Sequence, residues 1–304
     1  MRKIRIKQVD AFTDVAFCGN PAGVVTEADD LTEEQMQKIA KEMNLSETAF
    51  VLKPHETTAD FKIRFFTPKV EVPICGHATI ATYHCLVEEG KVQLKTPKTT
   101  VKHELRVGVL PVEIYSKEGK VEKIMMTMEK PIFGEEEFEV DELAPLLSVD
   151  KKEIEPKLPI QVMQKQKLLI PVKNLKTMAK LNPDFRAITE FGRKTGITGI
   201  CVFTRQTIDS KSSFHLRFFA PALGINEDPV TGVANAYLGA YLIKHKAVPI
   251  IRPVTSLIGE QGHFVDRPGQ VFINVESDVQ SVKSVKVGGM AITVLTGEIL
   301  LDED

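Results

Sequence analysis

Alternation of apolar and polar residues dominates both ends of the chain. Residues 4–12 alternate and are rich in Ile, Val and Phe, which predicts a first strand. The stretches 91–130 and 251–301 have the same character. Shorter strands are predicted at 49–52, 61–66, 167–172, 200–205 and 214–219.

Helical spacing is confined to a few segments. Between 31 and 43 the apolar residues share one face, and Thr32 precedes two glutamates, as at a helix N-terminus. The segment 75–89 is mostly small and apolar, and 232–246 is rich in small residues, which predicts two helices, the first buried and ended by Gly90. Another helix is predicted at 185–195. Many strands with few helices indicate an antiparallel α+β architecture.

Two segments are predicted to lack regular structure. Residues 18–23, Cys-Gly-Asn-Pro-Ala-Gly, are typical of a turn before the apolar pair at 24–25. Residues 131–159 are acidic and irregular.

An eight-residue pattern occurs twice. Residues 61–68 read FKIRFFTP and residues 214–221 read FHLRFFAP, and each copy is followed by a helix led by a glycine, Gly76 or Gly232. The offsets are 214 − 61 = 153 and 232 − 76 = 156. Two copies are too few for a solenoid, so we expect two duplicated domains, 1–118 with 287–304 and 119–286.

Composition excludes several classes of protein. The 304 residues carry a net charge of 39 − 41 = −2, unlike the basic composition of a nucleic-acid-binding protein. No apolar run approaches the 18 residues of a membrane span, and polar residues at 8 and 10 interrupt any signal sequence. Four widely spaced cysteines form no disulfide framework. We therefore expect a cytoplasmic protein that binds neither nucleic acid nor membrane.

The two glycine-led helix starts are candidate anion sites. The first N–H groups of a helix have no intrahelical partner and carry partial positive charge, and glycine lets a ligand approach the backbone closely. The candidate substrate-binding residues are Cys75, Gly76, Thr231, Gly232 and Val233. The alternative is that the two glycines only permit tight packing of strand on helix.

Candidate acids and bases occur close to these helix starts. They are Glu47, His77 and Asp228, side chains of the types that transfer protons in enzymes. Each also has an ordinary explanation, as a solvated turn residue, a satisfied helix-start imidazole or a turn residue before proline, respectively.

Metal and cofactor motifs are missing from the sequence. Cys75, His77, His84 and Cys85 lie close together, but the second ligand pair of a zinc finger is absent. No GxxxxGK[ST], GxGxxG, GxSxG or HExxH motif occurs. We expect no metal and no cofactor.

Short motifs in a fixed order resemble a known family. They are NPAGV at 20–24, SETAF at 46–50, RFFTP at 64–68, CGHAT at 75–79, DPVTG at 228–232, QG at 261–262 and RP at 267–268. In combination they resemble the phenazine-biosynthesis PhzF-like family, whose members are related to diaminopimelate epimerase. The resemblance implies two pseudo-symmetric domains, each a curved antiparallel sheet or barrel around a central helix, with the active site between them and homodimers as the common assembly.

The resemblance also implies a cofactor-independent isomerase. The residue matching Glu47 is the acid/base of the family, those matching His77 and Asp228 assist it, and backbone amides at the helix starts hold the substrate carboxylate. One departure is Val233, where family members often carry serine.

Three functions follow from these residues. The leading hypothesis is an isomerase that shifts a proton on a small carboxylated substrate by carboxylate acid/base catalysis. The second is an amino-acid racemase or epimerase using Cys75, which Thr231 disfavours because a hydroxyl at the equivalent repeat position cannot replace a thiolate. The third is a non-catalytic ligand-binding protein that kept the fold.

Overall fold

The structure, a computed structural model, describes residues 1–302. In chain order the strands are β1 (Arg2–Ala11), β2 (Asn20–Val25), β3 (Glu47–Leu52), β4 (Phe61–Phe66), β5 (Glu71–Val72), β6 (Lys98–Leu105), β7 (Gly108–Lys117), β8 (Lys120–Met128), β9 (Gln161–Met163), β10 (Lys167–Pro171), β11 (Gly199–Thr204), β12 (Phe214–Ala220), β13 (Ile225–Asp228), β14 (Val254–Gln261), β15 (Gly269–Ser277), β16 (Val282–Gly289) and β17 (Ala291–Leu301). The α-helices are α1 (Glu33–Met43), α2 (Gly76–Glu88), α3 (Val140–Leu146), α4 (Leu175–Lys180), α5 (Phe185–Thr195) and α6 (Gly232–Lys244). Strands thus dominate an α+β fold.

The chain divides into two compact units. The first comprises Met1–Thr127 together with Gly288–Asp304, and the second comprises Met128–Val287. The boundary expected at 118/119 falls in the turn of the β7–β8 hairpin. The observed division lies between Thr127 and Met128, at the last residue of β8, because β8 pairs along β7 within the first unit.

In the first unit, β1 pairs with β17 and with β2, in both cases antiparallel. From β2 the sheet continues through β3, β4, β6 and β7 to β8. The β2–β3 and β4–β6 pairs are parallel, and the other pairs are antiparallel. The short strand β5 pairs with β4.

The second unit has the same order of pairings. β9 is antiparallel to β10, β10 parallel to β11, β11 antiparallel to β12, β12 parallel to β14, and β14 antiparallel to β15. The short strand β13 pairs with β12 as β5 pairs with β4. Each unit therefore alternates antiparallel and parallel pairs from β1 to β7 and from β9 to β15.

The expectation of antiparallel sheets is wrong, because the sheets are mixed. A parallel pair needs a crossover connection, most often a helix. Helices supply this crossover at each parallel pair: α1 lies between β2 and β3, α2 between β4 and β6, α4 and α5 between β10 and β11, and α6 between β12 and β14. The few predicted helices are thus the crossovers of a mixed sheet.

The crossover helices α2 and α6 are both largely buried. Buried residues of α2 cover all its faces, and the helix packs on β1, β2, β3 and β17. α6 is buried equally and packs on β14 and β15. A helix that is apolar all round belongs in a core, which is the prediction for 75–89.

The predicted start of α1 is confirmed, whereas the predictions for residues 18–23 and 131–159 are wrong. Thr32 caps α1 in a capping box with Gln35. The turn expected over 18–23 is shorter, because only Gly19 adopts a positive φ, of 63°, and β2 already begins at Asn20. The segment 131–159 contains α3, whose Leu143 is fully buried. Within residues 1–302, no helix combines the length and the apolar character needed to span a bilayer.

Candidate functional site

Three predicted site residues meet in the first unit. Glu47 is the first residue of β3 and pairs in parallel register with Ala22 of β2. Cys75 is the N-cap of α2, and His77 lies in its first turn. Ligand atoms of Glu47, Cys75 and His77 lie within 4.8 Å of one another. We call these three residues the acid/base cluster.

His77 lies between the other two members of the acid/base cluster. Its Nε2 atom is 3.3 Å from Oε2 of Glu47, and its Nδ1 atom is 3.5 Å from Sγ of Cys75. The side chains of His77 and Glu47 are 10% and 16% exposed. Burial lowers the pKa of His77 from 6.5 to about 4. The imidazole is therefore neutral at physiological pH, beside a carboxyl group that still reaches solvent.

The start of α2 leaves its N–H groups without a side-chain cap. Cys75 makes no capping hydrogen bond, and the first bond of the helix runs from Thr79 N to Cys75 O. Gly76 is half-buried, and a Cβ added there would meet only Sδ of Met126, at 3.9 Å. Packing in this unit therefore does not require glycine at 76, which weighs against the tight-packing explanation.

A second group of predicted residues meets at the start of α6. Asp228 is the last residue of β13, and Thr231 is the N-cap of α6. The Thr231 hydroxyl donates a short hydrogen bond to the Asp228 carboxylate. Gly232 begins the helix and is buried, and Val233 follows it, partly exposed.

Gln261 and Asn235 complete this group, and sequence reasoning missed both as site residues. Gln261 Oε1 accepts from Thr231 N at 3.0 Å and from Asn235 Nδ2 at 2.9 Å. Its Nε2 donates to Asp228 O at 2.8 Å and to Thr231 Oγ1 at 3.2 Å. Gln261 is 1% exposed and Asn235 is fully buried. Asp228, Thr231, Asn235 and Gln261 form what we call the amide network; a polar residue within the apolar stretch of α6 was the available signal.

The metal cluster considered at 75–85 does not assemble. His84 Nε2 lies 3.2 Å from Glu88 Oε1, one turn further along α2. Glu47, Cys75 and His77 do bring three potential ligand atoms within 4.8 Å of one another. The described residues bring together one more set of three possible ligands, His215, Glu260 and His263, which the sequence did not suggest because 45 residues separate the first two.

Solved structures define the class of protein. A PhzF-family phenazine biosynthesis protein of Bacillus anthracis aligns with a TM-score of 0.89 and 32% identity, covering 99% of this chain and all of that one. A hydroxyproline epimerase of Agrobacterium vitis shares the fold alone, with a TM-score of 0.64 at 12% identity over 99% of this chain and 94% of that chain. The fold is therefore the α+β fold of the PhzF-family protein, which the hydroxyproline epimerase shares.

Sequence relatives then define the family. The family model described as phenazine biosynthesis-like protein matches residues 9–297, and the chain belongs to this family. An uncharacterised isomerase of Clostridium acetobutylicum is 39% identical over 99% of this chain and all of its own length. The trans-2,3-dihydro-3-hydroxyanthranilate isomerase of Pseudomonas aeruginosa is 30% identical over 96% of this chain and 98% of its own. The chain is thus an isomerase-type enzyme.

Proposed function

We propose that the protein is a cofactor-independent isomerase that moves a proton within a small carboxylated substrate, with Glu47 as the acid/base. The observation that carries this proposal is the Glu47 carboxyl group, 16% exposed and 3.3 Å from the neutral, buried imidazole of His77. A single positioned carboxylate suits such chemistry, and general acid/base catalysis contributes about 10²–10⁴-fold in rate.

The proposed proton transfer involves only the substrate and the Glu47 side chain. The Glu47 carboxylate takes a proton from a substrate carbon, and the electron pair of that C–H bond moves into the substrate's π-system. The resulting carboxylic acid returns the proton to another atom of the same molecule, which regenerates the carboxylate. His77 stays neutral beside Glu47, with its Nε2 atom 3.3 Å from the carboxylate and its Nδ1 atom 3.5 Å from Sγ of Cys75.

We propose that a glycine-led helix start binds the substrate carboxylate through its N–H groups. Cys75 and Gly76 line the start of α2, and Thr231, Gly232 and Val233 line the start of α6. The uncapped N-termini and the space beside Gly76 support this. Asp228 assists through the amide network. The 30% identical relative is named for a hydroxyanthranilate, a carboxylated compound, which supports the substrate class.

We further propose that the two units descend from one duplicated unit of diaminopimelate-epimerase-like type, and that the protein works as a cytoplasmic homodimer. The shared order of pairings supports the duplication. Superposition of 61–89 on 214–246 as strand-loop-helix segments is the check on this proposal.

Glu47→Gln tests the function. The amide keeps the size and hydrogen bonding of the side chain but removes its basicity, so turnover should fall by about 10²–10⁴ in a folded protein. Small carboxylic acids, beginning with trans-2,3-dihydro-3-hydroxyanthranilate, are incubated with enzyme in deuterated water, and deuterium incorporation is measured by mass spectrometry.

Cys75→Ser is the matched control from the same cluster. Because Thr231 stands at the equivalent position of the repeat, no second thiol is available for a two-cysteine mechanism, and this variant should lose much less activity than Glu47→Gln. An active Glu47→Gln variant beside an inactive Cys75→Ser variant would transfer the role of base to the thiol and overturn the proposal.

A further inference from the structure

Three potential metal ligands converge in the second unit, on the face of β14 opposite α6. Gly259 faces α6, since a Cβ there would meet Asn235 Oδ1, so the next residue, Glu260, points to the other face. His215 of β12 is its partner in the parallel register. His263 begins the short 3₁₀ turn that follows β14.

The imidazoles of His215 and His263 are spaced as metal ligands. Nε2 of His215 lies 3.2 Å from Nδ1 of His263. Zn–N bonds of 2.0–2.1 Å in tetrahedral geometry place two nitrogen ligands about 3.3 Å apart. A carboxylate oxygen of Glu260 completes a set of atoms that all lie within 4.8 Å of one another.

The carboxylate of Glu260 is held in place by the backbone. It is fully buried, and its two oxygens accept from Ile208 N at 2.5 Å and Asp209 N at 3.0 Å. Hydrogen bonds of this kind fix the orientation of a ligating carboxylate and are a regular part of metal sites. The lone pairs that these two bonds leave remain for a cation.

The cation nearest in sequence is Arg217, two residues further along β12 and therefore on the same face of the strand as His215. Arg217 is itself paired with Glu227, with Nε–Oε1 and Nη2–Oε2 distances of 2.8 and 2.7 Å. Its positive charge is thereby offset, which leaves the Glu260 carboxylate to receive a cation.

We propose that His215, His263 and Glu260 bind one Zn²⁺ ion. Two imidazoles and a carboxylate form a donor set that zinc accepts. The ion takes no part in the proton shift. Its ligands Glu260 and His263 bracket Gln261, so the ion fixes the turn from which Gln261 enters the amide network.

Zinc titration of the chelator-treated full chain tests this site. Isothermal titration with ZnCl₂ should show one ion per chain. His263→Gln, on a partly exposed turn, should weaken binding at least about 10-fold, because loss of even an outer-sphere partner costs 10–100-fold. His55→Gln removes an exposed histidine of the first unit and should bind zinc as the wild type does.

A second measurement, with cobalt, tests whether the ion binds at this site. Co²⁺ in place of Zn²⁺ should give the visible absorption of a low-coordinate site in the wild type and not in His263→Gln, with circular dichroism confirming that both are folded. The proposal is overturned by no saturable binding in the wild type, by equal binding in His263→Gln, or by loss of the ion in Cys75→Ser instead, which would place it in the acid/base cluster.

Discussion

The starts of α2 and α6 occupy equivalent places in two units of the same strand order, yet they carry different chemistry. Cys75-Gly76-His77 in the first corresponds to Thr231-Gly232-Val233 in the second. The strand registers extend the comparison: Thr48 lies opposite Phe66, and Ile200 lies opposite Phe219 at the equivalent point of the repeat. Glu47 therefore corresponds to Gly199.

The comparison separates the features that the two units share from those in which they differ. Both units keep the crossover helix, its leading glycine and its uncapped N–H groups. Only the first keeps a carboxyl group, an imidazole and a thiol in contact; the second has the amide network. The two units thus share the backbone arrangement at the helix start and differ in the side chains that surround it.

The largest expected effect concerns an arginine–glutamate pair that both units retain. Arg217 pairs with Glu227 and also donates to Met178 O at 2.8 Å, and its side chain is 8% exposed. Arg64 pairs with Glu71 and is 19% exposed. Because a buried charge loses its partner, Arg217→Ala should cost about 3–5 kcal/mol of unfolding free energy, and Arg64→Ala about 1–2 kcal/mol.

Urea denaturation of the two arginine variants measures both losses. Charge-preserving Arg217→Lys is the control, since it keeps the positive charge but not the two-pronged contact with Glu227. Equal losses for the two alanine variants would mean that burial does not distinguish the pairs.

Low pH should lower the stability of both units, because each contains at least one buried histidine. Burial lowers the pKa of His77 and of His103, both in the first unit, to about 4, and that of His215, in the second, to about 3. The unfolded chain takes up protons near pH 6.5 while the folded chain does not, so stability falls as the pH drops from 6.5 towards 4. Each such lowering to about 4 corresponds to roughly 3 kcal/mol.

His103→Phe isolates one of these contributions. The variant should lose less unfolding free energy between pH 6.5 and pH 4 than the wild type does, by up to roughly 3 kcal/mol. Denaturation curves at a series of pH values give the slope directly, and identical slopes for the two proteins would contradict the assignment.

The smallest effect on stability is expected at Gly76. Because a Cβ has room there, Gly76→Ala should change the unfolding free energy by less than about 0.5 kcal/mol, while kcat/KM falls if a ligand approaches this backbone. Gly199→Ala is the contrast: its Cβ would lie 2.5 Å from the Phe218 ring, so it should cost about 1–3 kcal/mol. Full activity in Gly76→Ala would remove the proposed carboxylate site at α2.

The features predicted correctly from the sequence are those that depend on residues close together in the chain. The sequence predicted the capping residue Thr32, the mostly apolar helices α2 and α6 and the repeated strands that begin at 61 and 214. The parallel pairs were not, because strand direction depends on how a crossover returns to the sheet. α3 was missed because it has seven residues and contains Pro145.

The candidate site residues also fall into two groups, those that motifs predicted and those that depend on strand pairing. Glu47, Cys75 and His77 were candidates from motifs, and the structure brings these three together. Their roles stay predictions. Gln261 and the group of His215, Glu260 and His263 depend on the register of β12 with β14, which joins residues 45 apart. No local pattern encodes that pairing.

The pairing of β1 with β17 has a consequence for biosynthesis. Arg2 lies opposite Leu301, and the pairing continues to Ala11 opposite Ala291. The first unit therefore needs strand β17 (Ala291–Leu301), whereas the second is one continuous segment, Met128–Val287. Because the ribosome synthesises the chain from its N-terminus, all of the second unit is made before β17 can pair with β1. The N-terminal unit is the last to be completed.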